Sequence, residues 1–110
     1  MQKVFVSLPM GNKTIEEIKA EQLDIFMRFI YNKNANDYAE LVESALSEPS
    51  DIDVDPNVWC LGRSIQLMAE SDLVIFAKDW RDARGCRIEH AICELYQIPH
   101  LYDCYQEDEN

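Results

Sequence analysis

Leu73-Val74-Ile75-Phe76-Ala77-Lys78-Asp79-Trp80-Arg81-Asp82-Ala83-Arg84-Gly85-Cys86-Arg87-Ile88-Glu89-His90 is the stretch on which the fold turns. Its first five residues are apolar without a break, the pattern of a strand buried on both faces. Ile88, Ala91, Ile92 and Leu95 then recur at helical spacing. The segment between them is therefore a strand-to-helix connection, with Gly85 at the turn and Glu89 early in the helix. In open parallel α/β sheets such connections line the ligand crevice, because they lie at the carboxyl ends of the strands. A carboxylate in a first helical turn is held ionised by unpaired N–H groups and the helix dipole. Glu89 is thus either a cap-like charge or a nucleophile.

Upstream, Asp55-Pro56 predicts a helix start, with Asp55 as N-cap and Pro56 at the first helical position. Val58, Leu61, Ile65, Met68 and Ala69 form its expected buried stripe, and Ser64 sits beside that stripe. Asp72 falls at the amino end of the following strand and reads as a turn residue. Lys3 to Leu8 is a second strand apolar on both faces. Pro9 to Lys13 is a turn. Thr14-Ile15-Glu16-Glu17 is a capping box opening a helix to about Tyr31, with Ile15, Ile18, Ile25, Phe26 and Phe29 inward. Tyr38 to Ser44 fits a strand or a short helix, and the strand is preferred because a parallel sheet expects one there. Ala45 to Asp53 reads as a solvated loop.

Downstream, the helix after Gly85 runs to about Tyr96, and Ile98-Pro99 breaks it. His100 to Tyr105 reads as a last strand, and residues 106–110 as an acidic tail. The expectation is one domain, residues 1–105. Its class is α/β, a Rossmann-like (flavodoxin-like) three-layer sandwich with a mainly parallel sheet of about four strands. No G-x-G-x-x-G follows the first strand, so the dinucleotide fingerprint is missing.

Ten basic and twenty-one acidic residues give a net charge of −11. This argues against binding polymeric nucleic acid through its phosphates. A small anion is still within reach of a few arginines and backbone N–H groups. No apolar run approaches the length of a membrane span, and the opening residues do not resemble a signal peptide. Cys60, Cys86, Cys93 and Cys104 show no C-x-x-C spacing and read as reduced packing residues of a cytoplasmic protein. His90 and His100 lie ten apart without a metal-type pattern, so neither metal nor cofactor is expected.

Carboxylate nucleophiles serve where a sugar C1 passes through an oxocarbenium-like state. On a helical wheel Glu89 lies about 100° round from Ile88, at the margin of the expected stripe. Asp79 and Asp82 are the nearby candidates for a proton donor. Arg84 and Arg87 suit an anion, or simple pairing with Glu89 or Asp82.

Three segments, Val4-Phe5-Val6-Ser7-Leu8-Pro9-Met10-Gly11, Leu61-Gly62-Arg63-Ser64-Ile65 through Ser71-Asp72, and Ala83-Arg84-Gly85-Cys86-Arg87-Ile88-Glu89-His90-Ala91, carry a resemblance. The chain resembles the nucleoside 2-deoxyribosyltransferase superfamily, and within it a small uncharacterised branch from phages and prophages. In the characterised enzymes a G-x-G-x-E element follows a strand, and its Glu attacks the sugar C1. Gly85 and Glu89 match the first Gly and the Glu. The resemblance implies a double displacement on a nucleoside or nucleotide, by transfer or hydrolysis, with Glu89 as nucleophile; the candidate catalytic helper is Asp82, on the loop before it. Substrate contacts would come from Ser7, Pro9, Met10, Gly11 and Asn12, and from Asp79, Trp80, Arg84, Gly85 and Arg87. It also implies a homo-oligomer that completes the pocket from a neighbouring subunit.

Three positions depart from the pattern. Arg87 replaces the second Gly, Ser64 stands where the enzymes carry an Asp, and Ala83 replaces an Asp, with Asp82 one place away. Glu89 is kept while its usual helpers are not, which implies altered or lost chemistry. Two alternatives therefore stand beside the enzyme: a non-catalytic pocket for a nucleotide-derived molecule, and an interaction protein using its acidic surface to block a host target.

Overall fold

The computed structural model describes residues 2–33, 39–45 and 53–103. Four strands form one parallel sheet: β1 (Gln2–Ser7), β2 (Ala39–Leu41), β3 (Leu73–Phe76) and β4 (His100–Tyr102), in the order β2-β1-β3-β4. Among the described residues three helices connect them: α1 (Ile15–Lys33), α2 (Pro56–Ala69) and α3 (Arg84–Tyr96), with a 3₁₀ turn at Trp80–Asp82 before α3. This is the expected α/β three-layer arrangement. The segment read as a second strand is a strand at Ala39–Leu41. Tyr38, Cys104, Tyr105 and the acidic tail lie outside the described residues.

Side-chain alternation sorts β1 between the two layers. Val4, Val6 and Leu8 pack with Leu73, Ile75 and Ala77 against Ile18, Ile25 and Phe26 of α1. Phe5 points the other way, joining Val74 and Phe76 against Met68 of α2, Trp80, and Cys86 and Cys93 of α3. Ser7, two residues on, shares the side of Phe5. At the amino end of β3, Asp72 acts as the turn residue expected: its carboxylate accepts from Lys3 N at 2.8 Å, and its own N–H donates to Lys3 O.

Both predicted helix starts are present. Thr14 N donates to Glu17 Oε1 at 2.8 Å, and Glu17 N donates to Thr14 Oγ1 at 3.1 Å, the reciprocal capping box. Asp55 caps α2 by accepting from Asn57 N and Val58 N, with Pro56 at the first position. α3 has no such side-chain cap: Ala83 occupies that place.

The buried faces of α2 and α3 differ from the expectation. On α2, Val58 and Ala69 are exposed, and Ser64 and Met68 are the fully buried residues. On α3, Ile88 and Ala91 are exposed and Leu95 is 77 % exposed; the face turned inward is Cys86, Glu89 and Cys93. The rings of Phe76 and Trp80 already fill the space under this helix, so small thiols meet them better than isoleucine and leucine do. Gly85 is likewise not at the turn but inside the first turn of α3. Among the described residues no helix is long and apolar enough to cross a membrane.

Candidate functional site

In a parallel sheet of order β2-β1-β3-β4, the chain leaves β1 and β3 in opposite directions, which opens a crevice beyond their carboxyl ends. A cleft of about 350 Å³ lies there. β1 and its loop contribute Ser7, Leu8, Met10 and Gly11; α3 contributes Arg84, Gly85 and Glu89; α2 contributes Asn57, Leu61 and Ser64. Gly11 has φ of +44°, a conformation that side-chain-bearing residues adopt at a cost. Lys13 steadies the same loop by donating to Pro9 O at 3.0 Å and pairing with Glu21 of α1 at 2.7 Å.

Glu89 is 6 % exposed. Ser7 Oγ donates to its Oε1 at 2.6 Å, and among the described residues this is its one hydrogen bond; it has no ion pair and Oε2 has no partner. Burial pushes the carboxyl up to about 7, against the smaller opposing effect of the Ser7 hydroxyl. The expectation that the helix dipole holds it ionised is thereby corrected. Glu89 is the sixth residue of α3, beyond the first turn over which the dipole acts, and desolvation wins.

The two buried thiols nearby are no rivals as nucleophiles. Burial raises Cys86 to about 11 against the lowering effect of the Ser7 hydrogen bond, with Glu89 and Asp79 adding smaller upward pressure; burial likewise raises Cys93 to about 11. At neutral pH both remain protonated.

The residues singled out from sequence divide in two. Ser7, Met10, Gly11, Arg84, Gly85 and Glu89 line one cleft. Pro9, Asn12, Asp79, Trp80, Asp82 and Arg87 do not line it. Trp80 is a core residue, stacked on His90 with ring centroids 4.0 Å apart, and Arg81 covers its ring at 4.7 Å. Arg87 is exposed and donates to Arg81 O at 2.7 Å, so it neither clamps an anion in the cleft nor pairs with Glu89. Asp79 and Asp82 are exposed at the 3₁₀ turn. Among the described lining residues Glu89 is the sole carboxylate, which removes the expected acid partner.

Asn57 and Cys60 were not anticipated from the sequence, and Ser64 was placed only near the stripe. Their signal was a polar or small residue at each turn of α2, Asn57, Cys60 and Ser64, running into buried Met68. Arg84 has no hydrogen-bond or ion-pair partner among the described residues. It stands at the uncapped start of α3, where first-turn N–H groups favour an anion. Comparison with protein-family models, with curated proteins and with solved structures returned no match.

Proposed function

We propose that the cleft takes a nucleoside or nucleotide and that Glu89 attacks its sugar C1, breaking the N-glycosidic bond. The observation that carries this reading is the carboxylate itself. One oxygen is held by Ser7, the other is without a partner among the described residues, and Glu89 lines a cleft within the size range of ligand sites. Arg84 and the uncapped helix start supply a place for a 5′-phosphate, and the half-buried apolar side chains of Met10 and Leu61 supply a surface for a base.

In the first step Oε2 bonds to C1 as the C1–N bond breaks, and the bond's electron pair leaves with the base. Among the described residues no second carboxylate lines the cleft, so the base takes its proton from water. Water, or a second base, then attacks C1. The ester C–O bond breaks and Glu89 recovers its carboxylate. With water the net products are the free base and the sugar bearing a hydroxyl at C1. Only the ionised carboxyl attacks, and it titrates near 7, so kcat/KM rises with pH and levels off above that value.

The test is a 2-fluoro-arabinosyl nucleoside, with and without 5′-phosphate, followed by mass spectrometry. A glycosyl adduct on Glu89, missing from Glu89→Ala, is the expected result. No adduct and no base release across a panel of bases would overturn the reading.

A second reading is favoured by the solitary carboxylate with its raised pKa: a pocket that holds a nucleotide-derived molecule without turning it over. It predicts thermal stabilisation by a nucleotide with neither adduct nor product.

A further inference from the structure

We propose that His90, Glu94 and His100 form a binding site for one divalent transition-metal ion, best suited to zinc, which clasps β4 to α3. His90 and Glu94 are four residues apart on α3 and so project from one side of the helix. Gln97, with φ of +58°, turns the chain back, and His100 returns as the first residue of β4 to face them. One ligand atom from each of the three residues lies within 4.8 Å of the others. None of the three lines the Glu89 cleft, so this site is separate from the function proposed above.

The hydrogen bonds around His100 point the same way. Its Nδ1 lies 2.7 Å from Ile98 O, and a carbonyl only accepts, so Nδ1 carries the proton. In the neutral ring Nε2 is then a lone pair, and it faces Glu94 Oε2 at 3.0 Å. A lone pair set against a carboxylate is the arrangement a cation between them would explain. An imidazole whose other nitrogen is fixed by a backbone carbonyl is also the usual orientation of a metal ligand.

His90 is held from both sides, stacked on Trp80 at 4.0 Å and edge-on to Phe76 at 5.0 Å. Its Nε2 lies 3.8 Å from the same Glu94 oxygen and 2.6 Å from Tyr102 Oη. The two imidazoles are thus largely positioned, and Glu94, whose side chain is 56 % exposed, is the ligand with room to close in. Closure to metal–ligand distances of roughly 2.0–2.2 Å requires only a modest contraction of the set.

Two imidazole nitrogens and one carboxylate oxygen suit zinc, whereas calcium and magnesium prefer more oxygen ligands. Tyr102 Oη gives up its contact with His90 Nε2 when that atom takes the metal. The bland alternative is a His100–Glu94 ion pair and a His90–Tyr102 hydrogen bond with no ion.

The full chain, stripped with a chelator, is titrated with Zn²⁺ by calorimetry and followed by thermal melting. One ion per chain and a raised Tm are expected, with binding weakened at least ~10-fold in Glu94→Gln and in His100→Gln. Glu94 is exposed, so Glu94→Gln keeps the fold, as circular dichroism will verify. With Co²⁺ in place of zinc, d–d absorption without a thiolate charge-transfer band is expected. No binding of Zn²⁺ or Co²⁺, equal binding in Glu94→Gln, or a thiolate band would each overturn the proposal.

Discussion

Under α1, Gln22 and Ser44 are buried and neutral, and Gln22 Nε2 donates to Ser44 Oγ at 2.9 Å and to Val6 O at 3.4 Å. Between β1 and α3, Ser7 and Glu89 are buried as deeply, but one of them ionises and its second oxygen has no partner among the described residues. Both pairs join a serine hydroxyl to a longer polar side chain. The first joins a helix to the chain after β2 at little cost. The second holds a group whose charged form is destabilised by its surroundings, and it does so at the rim of a cleft. A buried carboxyl shifted by burial and set in a cleft is the kind of group that a functional site accounts for and packing alone does not.

The largest effect that would break this contrast is on turnover. Glu89→Ala is expected to lower base release by at least ~10³-fold, measured by chromatography of products, since removal of a nucleophile is among the most damaging substitutions an enzyme can suffer. A retained rate would place the chemistry elsewhere.

Next is the pH dependence of stability. Glu89 has a folded value of about 7, above its ordinary 4.5. The unfolded chain therefore loses the proton first, and stability falls as pH climbs from the lower value to the higher, then levels off. By linkage the loss is about 3 kcal/mol above pH 8. Glu89→Gln removes that loss, so the variant should be more stable than the parent at pH 8 and close to it at pH 4 in urea denaturation. A flat difference between the two pH values would show that the carboxyl is not desolvated.

The matching change under α1 should behave oppositely. Gln22→Leu leaves the Ser44 hydroxyl without its donor and should destabilise by roughly 1–3 kcal/mol at every pH, with turnover unchanged. The smallest effect is at Gly85. A Cβ built there meets only Leu61 Cδ1, at an ordinary 3.7 Å, so Gly85→Ala should stabilise the helix by up to ~1 kcal/mol. The same methyl enters the cleft beside Leu61, so ligand affinity measured by thermal shift should fall.

Strand and helix order was legible because it rests on local signals: the unbroken apolar runs of β1 and β3, the Thr14–Glu17 box and Asp55-Pro56. Part of the site was legible for the same reason, since Ser7, Gly11, Arg84 and Glu89 follow from knowing which strand ends face the crevice. The face of α3 was not. Ile88 and Leu95 look like core residues on any hydrophobicity scale, yet they are 44 % and 77 % exposed, and the helix packs through Cys86 and Cys93. Which stripe is buried depended on the bulk of Phe76 and Trp80 beneath it, a tertiary matter that periodicity does not carry. That rotation also moved Glu89 from the margin of the stripe to the interior. The His90–Glu94–His100 grouping was hidden likewise, because the ten-residue spacing closes only through the reversal at Gln97.

The strand order has a consequence for how the chain assembles. β1 lies between β2 and β3, and its pairing with β3 joins Val4 to Leu73 and Ser7 to Phe76, so the first strand made waits for one made much later. During synthesis one long edge of β1, from Val4 to Ser7 and mostly apolar, is without its neighbour until Phe76 has cleared the ribosome. Non-local pairings of this kind slow folding and leave sticky intermediates. The chain's strongest dependence on chaperones should therefore fall in the interval between the emergence of β2 and that of β3.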